Sequence, residues 1–316
     1  MRQKIIIDTD PGQDDAIAIL LALASPKKID VLGIVAVAGN VPLNLAKKNA
    51  LKVVEISGFL DTKVFAGCDR PLKRKLVTAE NVHGKTGLDG PDLPEPKIKL
   101  QKQHGVDYII EALRSHKTKT ITLCPLGPLT NIATAMQQAP DIIGRIKQIV
   151  LMGGAYFEVG NVTPSAEFNI YVDPDAADFV LRSGVPITML PLDVTHQVLT
   201  TQKRIKKIKN IGNETGKIVS QMTVFFERFD EAKYGSDGAP LHDPCVIAYL
   251  LKPKLFEGRQ VNVQIETKSK LTLGMSVVDY WGITDIKTHP RNVNFIRNVN
   301  AKGFYKLLTK RLALLP

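Results

Sequence analysis

The chain has 316 residues, of which 44% are hydrophobic and 23% charged, the balance of an ordinary globular protein able to bury a large core. Only three isoleucines separate Lys4 from the first aspartate, and the longest apolar run, Ala16 to Ala24, is about half a bilayer span, so neither an export signal nor a membrane helix is expected. The net charge of +11 raises a nucleic-acid partner, but the densest cluster, Lys203 to Lys209, has isoleucines at helical spacing and no aromatics for base stacking; it predicts the wet face of an amphipathic helix.

In chain order, strand-like runs alternate with helix-like ones. "KIIIDTD" reads as a buried strand and "DDAIAILLALA" as the helix after it; "DVLGIVAVAGN" is a strand and "LNLAKKNALKVVEISG" a helix. "TKTITLCP" is a strand that breaks at "PLGPLTN" into the helix "LTNIATAMQ", "IKQIVLMGG" is a strand closed by paired glycines, and "VPITMLPLDVTH" follows the helix "PDAADFVLRSG". Strand, crossover helix and strand predict an α/β fold: a mainly parallel open sheet with helices on both faces. Near the C-terminus "VNVQIETKSKLTLGMSVVDYWG" and "NVNFIRNV" read as hairpin strands, a small antiparallel β element before a last helix through "YKLLTKRLALL". No linker or repeat divides the chain, so residues 1–316 are expected to form one domain. Cys68, Cys124 and Cys245 are too few and too unpatterned for a disulfide framework or a zinc site and predict buried thiols in a reducing cytoplasm.

Open parallel sheets bind ligands beyond the carboxyl ends of their strands. Those ends carry Asp8 and Asp10, Asn40, the break from Cys124 to Gly127, and Met152 with Gly153 and Gly154. The adjoining loops carry His83 in "NVHGKTGLDG", Asn161, Glu167 and Asn169 in "GNVTPSAEFN", and His242 and Asp243 in "PLHDP". Four aspartates, Asp8, Asp10, Asp14 and Asp15, crowd the end of the first strand. Neighbouring carboxylates resist joint ionisation unless one takes a proton or a cation sits between them, and a hard divalent ion such as calcium or magnesium suits an all-oxygen set. Capping of the following helix by Asp14 and Asp15 is the simpler alternative.

"DTDPGQDDA", "VHGKTGLDG", "GPLTNIA", "LMGGA", "AEFNIYVDPDAA" and "HDP" resemble, in order and spacing, the nucleoside hydrolases of the inosine-uridine-preferring type. The resemblance implies a calcium ion held by Asp10, Asp15, Asp243 and the backbone carbonyl of Leu126, a position where many relatives have threonine. It implies that Asp10 is the general base, that Asp14 and Asn169 bind ribose hydroxyls together with Asn40, and that Asn161 and Glu167 hold the 5′-hydroxyl. His242 and His83 match residues that assist departure of the base. Tyr234 and Phe229, in "VFFERFDEAKYGSDG", read equally as lining the base side from a mobile loop or as core, and Met152 reads as a neighbour of the base or as the end of a buried strand.

The expected reaction is hydrolysis of the N-glycosidic bond of ribonucleosides to free base and ribose by a calcium-activated water. An oxocarbenium-like ribosyl centre is stabilised by a carboxylate-rich pocket, so the acidic opening has a chemical purpose. Pyrimidine ribonucleosides, uridine and cytidine, are favoured, inosine is a further substrate, and a carboxylate at the 5′-hydroxyl disfavours nucleotides. The implied setting is cytoplasmic nucleoside salvage by a homo-oligomer, dimer or tetramer, with no nucleic-acid or membrane partner. Two other readings compete: a magnesium phosphatase of the haloacid-dehalogenase type with Asp8 as nucleophile, and a noncatalytic nucleoside or ribose sensor.

Overall fold

Ile5, Ile6 and Ile7 are all fully buried, which places the first strand at the centre of the molecule with core on both of its faces. The computed structural model describes residues 2–234 and 238–316, the side chains of 229–234 excepted. Among these residues one sheet runs β3 (Val64–Ala66), β2 (Ile29–Ala36), β1 (Gln3–Thr9), β4 (Ile121–Pro125), β5 (Gln148–Met152), β6 (Ile187–Leu190), β9 (Val293–Val299), β7 (Phe256–Ile265) and β8 (Ser276–Asp279). Every pairing from β3 through to β9 is parallel, and β9–β7 and β7–β8 are antiparallel.

The mainly parallel sheet expected from the alternating pattern is therefore present, with one difference at its C-terminal end. β9 pairs in parallel with β6 and antiparallel with β7, so the expected hairpin element is an extension of the main sheet. Its register depends on a strand more than a hundred residues upstream, which local periodicity does not reveal.

Side-chain alternation along β1 sorts the two layers. Ile5 and Ile7 join a core with α1 (Gln13–Leu23), α2 (Leu43–Ser57), α11 (Pro244–Leu251) and α12 (Ala301–Leu312); Ile6 joins one with α4 (Gly105–Ser115), α5 (Thr130–Gln138) and α7 (Pro174–Leu181). Helix α1 is buried along its whole length, which explains why its sequence is apolar nearly all round. On the surface, α9 (Gln202–Lys209) buries Ile205 and Ile208 and exposes Lys203, Lys206, Lys207 and Lys209, the wet face expected. Cys124 and Cys245 are buried as expected, whereas Cys68 is only partly so, because it lies in the irregular stretch after β3. Among the described residues no helix is long and apolar enough to cross a membrane.

β1 lies between β2 and β4, and the chain's direction of travel across the sheet reverses there. This switch point opens a crevice beyond the carboxyl ends of β1 and β4, where residues 10 and 126 emerge.

Candidate active site

Asp10 leaves the end of β1 and places its carboxylate between the segments that follow β2 and β4. Glycine is required on both sides: a Cβ at Gly39 would stand 2.0 Å from Asp10 Oδ2, and one at Gly127 would stand 2.1 Å from Oδ1. The backbone N–H of Asn40 donates to Oδ2 at 2.7 Å, and Asn40 Nδ2 donates to the Asp10 carbonyl at 3.1 Å and to Asp15 Oδ2 at 3.2 Å. Asp10 Oδ1 is buried and has no hydrogen-bond partner among the described residues.

Helix α1 begins three residues later and brings Asp14 and Asp15 to the crevice. Asp243, at the N-cap of α11, arrives from the far end of the sequence, and carboxylate oxygens of Asp14, Asp15 and Asp243 lie within 4.8 Å of one another. Asp15 accepts from Thr9 Oγ1 at 2.5 Å and from the backbone N–H of Gly12 at 3.0 Å, so it caps α1 and belongs to the cluster as well. Burial holds these acids above the ordinary carboxylate range, and repulsion adds to it at Asp10, Asp14 and Asp243: Asp10 and Asp243 stand well above it, Asp14 at about 7, and Asp15 is raised by burial despite its donors. Uncompensated charge of this density demands protons or a cation, and the orphaned Asp10 oxygen beside an all-carboxylate cluster fits a hard divalent ion.

The neighbouring wall is made of amides and backbone. Asn169 Nδ2 donates to the Leu126 carbonyl at 2.6 Å and approaches the Met152 carbonyl at 3.3 Å, tying the ends of β4 and β5 together. Glu167 caps α6 (Phe168–Val172), accepting from Asn169 N at 2.9 Å and Ile170 N at 3.2 Å, and it also accepts from Gly154 N at 2.9 Å. Burial raises its carboxyl to about 7 against those donors. Asn161 Oδ1 accepts from Phe168 N at 2.9 Å and fixes the loop before that helix.

The opposite end of the crevice is aromatic. His83, on the short helix α3 (Glu80–His83) rather than in the expected loop, stacks on Phe226 at 5.4 Å between ring centroids. Phe226 meets His242 edge-on at 6.5 Å, and His242 stands 5.8 Å from His196. His83 Nδ1 is 2.7 Å from Gln13 Oε1, and His242 Nδ1 is 2.8 Å from Thr195 Oγ1. Burial pushes His83 down to about 3; burial first, then repulsion from His196 and His83, carries His242 well below the ordinary histidine value. Burial thus favours the neutral form of both rings, which suits them to hydrogen bonding rather than to action as imidazolium acids in the free pocket.

The cavity brings together Asp14, Asn40, His83, Leu126, Met152, Asn161, Glu167, Asn169, His242 and Asp243 in its lining. Asp10 and Asp15 lie beneath that lining. Asp8 is elsewhere: it turns to the other face of β1, accepts from Asn131 Nδ2 at 2.7 Å and takes no part in the cavity, which removes the nucleophile of the phosphatase reading. The backbone of Phe229 and Tyr234 belongs to α10 (Glu214–Tyr234), not to a loop, because the helix continues up to the glycine-containing segment; their side chains lie outside the described residues. Sequence reasoning missed Phe226 and His196, both in the cavity wall. Phe226 stands three residues before Phe229, so helical spacing was available as a signal; nothing local marks His196.

A crevice at the switch point of a parallel sheet, with buried acids at one end and aromatic rings at the other, defines an enzyme acting on a small polar molecule. Residues 5–306 match the family of inosine-uridine preferring nucleoside hydrolases, and the chain belongs to that family. It is 52% identical over 313 residues to an uncharacterized protein of Schizosaccharomyces pombe, covering 99% of this chain and 100% of the relative. It is 47% identical over 314 residues to the pyrimidine-specific ribonucleoside hydrolase RihA of Photobacterium profundum, covering 99% of both. Among solved structures, a purine-preferring ribonucleoside hydrolase from Gardnerella vaginalis superimposes with a TM-score of 0.90 at 33% identity, covering 98% of each chain.

Proposed function

We propose that this chain hydrolyses the N-glycosidic bond of ribonucleosides, uridine and cytidine first and inosine as a further substrate, with a calcium ion held by Asp10, Asp15, Asp243 and the Leu126 carbonyl. The observation that carries the reading is Asp10 Oδ1, without a partner among the described residues and buried with three more carboxylates at the base of a cavity lined for a polar ligand. The 47% identity to a pyrimidine-specific relative supports the base preference. A purine-preferring neighbour shares the fold closely, so the preference resides in lining side chains and not in the architecture.

A bound divalent cation supplies fixed positive charge and a more acidic water. With positive charge there, the surrounding acids would ionise more readily than burial alone allows. Asp10 then serves as general base through Oδ1, while the Asn40 N–H and the close approach of Gly39 hold its other oxygen still. Asp14 and Asp243 line the cavity whereas Asp10 and Asp15 do not, so the Asp14 carboxylate is open to ribose hydroxyls, with Asn169 and Asn40 beside it. Positive charge that develops on the ribosyl ring as the base departs is stabilised by these carboxylates. Glu167 and Asn161 close the end assigned to the 5′-hydroxyl, where a phosphate would meet a buried carboxyl.

At the aromatic end, His83 and Phe226 supply stacking surface for the base, and Met152 adds an apolar contact. With the Thr195 hydroxyl as donor to His242 Nδ1, the ring hydrogen stands on Nε2, ready for the departing base. The proposal extends to a cytoplasmic homo-oligomer, as the family resemblance implies. Reducing-sugar release from uridine, cytidine, inosine, deoxyuridine and uridine monophosphate tests it: ribose from the ribonucleosides alone is expected, and release from none of them moves the reading to a noncatalytic sensor.

A further inference from the structure

One turn of helix, α8 (Leu192–Thr195), organises the aromatic end of the cavity. Asp193 on it accepts from the backbone N–H groups of Tyr156 at 3.0 Å, Phe157 at 2.6 Å and Glu158 at 3.4 Å, which pins the loop after β5 to this helix. Thr195 on it holds His242. His196, the residue that ends it, joins the cavity wall and places Nδ1 3.2 Å from Glu158 Oε2, on the loop that Asp193 has fixed. The pair is partly open to solvent, with side-chain exposures of 29% for His196 and 45% for Glu158, so the contact is not a consequence of core packing.

A carboxylate accepts only, so Nδ1 is the protonated nitrogen toward Glu158, and Nε2 is the ring atom left for whatever fills the cavity. His196 sits at the histidine end, beside His242, and is remote in role from the acids that hold a cation and from the amides near Glu167. We propose that His196 is a base-recognition residue whose Nε2 accepts a hydrogen bond from a ring N–H or exocyclic amine of the nucleobase, and that Glu158 is its positioning residue. The inference rests on the hydrolase reading and adds to it a residue that acts on the heterocycle and not on the sugar.

The test compares uridine with 4-nitrophenyl β-D-ribofuranoside, which carries the same ribose but a leaving group without an N–H donor. In the full-length protein with calcium, His196→Ala is expected to lower kcat/KM for uridine about tenfold or more, the scale of one lost hydrogen bond in a closed site, and to leave the nitrophenyl riboside within about threefold. Glu158→Ala gives a smaller loss with the same substrate pattern, Glu158→Gln, which keeps an acceptor, recovers most of it, and the double variant is no worse than His196→Ala. Equal losses on both substrates, or no loss on uridine, overturn the inference. Wild-type protein inactive on both substrates overturns the hydrolase reading instead, and the inference with it.

Discussion

The backbone N–H of Asn40 holds Oδ2 of Asp10 at 2.7 Å, while Oδ1 of the same carboxylate is buried without a partner among the described residues. One oxygen is anchored, and the proposed reaction uses the other as its base. Asp10→Asn is expected to lower kcat for uridine by about 10²–10⁴, the range for loss of a general base, with the far-ultraviolet dichroism unchanged. Activity within a few-fold of wild type would remove Asp10 from that role.

The carboxylate cluster makes a prediction about stability. Cation binding to the folded state alone raises stability by about 2.7 kcal/mol at a concentration of 100 Kd, so Tm should fall in EGTA and climb with added calcium in a concentration-dependent way. A Tm indifferent to both additions contradicts a cation among Asp14, Asp15 and Asp243.

Asp8 carries a different pH signature. Burial raises its carboxyl to about 7, against about 3.9 in an unfolded chain. The native state therefore holds this proton more tightly, and the associated stability, full below about pH 4, is lost as pH rises toward 7. Asp8→Asn retains an oxygen for Asn131 and cannot ionise, so its stability relative to wild type should grow from pH 5 to pH 8 by at most about 2.6 kcal/mol. Denaturant unfolding at the two pH values measures the difference; an equal difference at both contradicts the assignment.

Thr195 orients His242 across 2.8 Å. Thr195→Val keeps the volume and removes the hydroxyl, and it should cost about tenfold in kcat/KM for uridine with the metal response intact. An unchanged rate would show that the ring hydrogen is not set by Thr195.

The central architecture was legible because β1 and α1 announce themselves through burial: three isoleucines, a Pro-Gly turn and an apolar helix leave little freedom. Strand ends pointed to Asp10, the break from Cys124 to Gly127 and Met152, and the fold brings all three to one end of the sheet. What the sequence hid is non-local. β9 enters the sheet beside β6 through pairing that no neighbouring residue encodes, and Asn40 serves Asp10 and Asp15 through contacts that depend on where β2 ends. His83 and His242 are legible as residues but not as neutral rings, since burial is a property of the packed fold. His196 gains its place only because α8 folds as a single turn against the loop carrying Glu158.

The most direct measurement is ribose release from uridine by protein stripped with EGTA and then titrated with calcium. The account predicts negligible release in the chelator and recovery that saturates as the cation fills a site made by Asp10, Asp15, Asp243 and the Leu126 carbonyl. Full-rate release in EGTA, or none after calcium is restored, would contradict it.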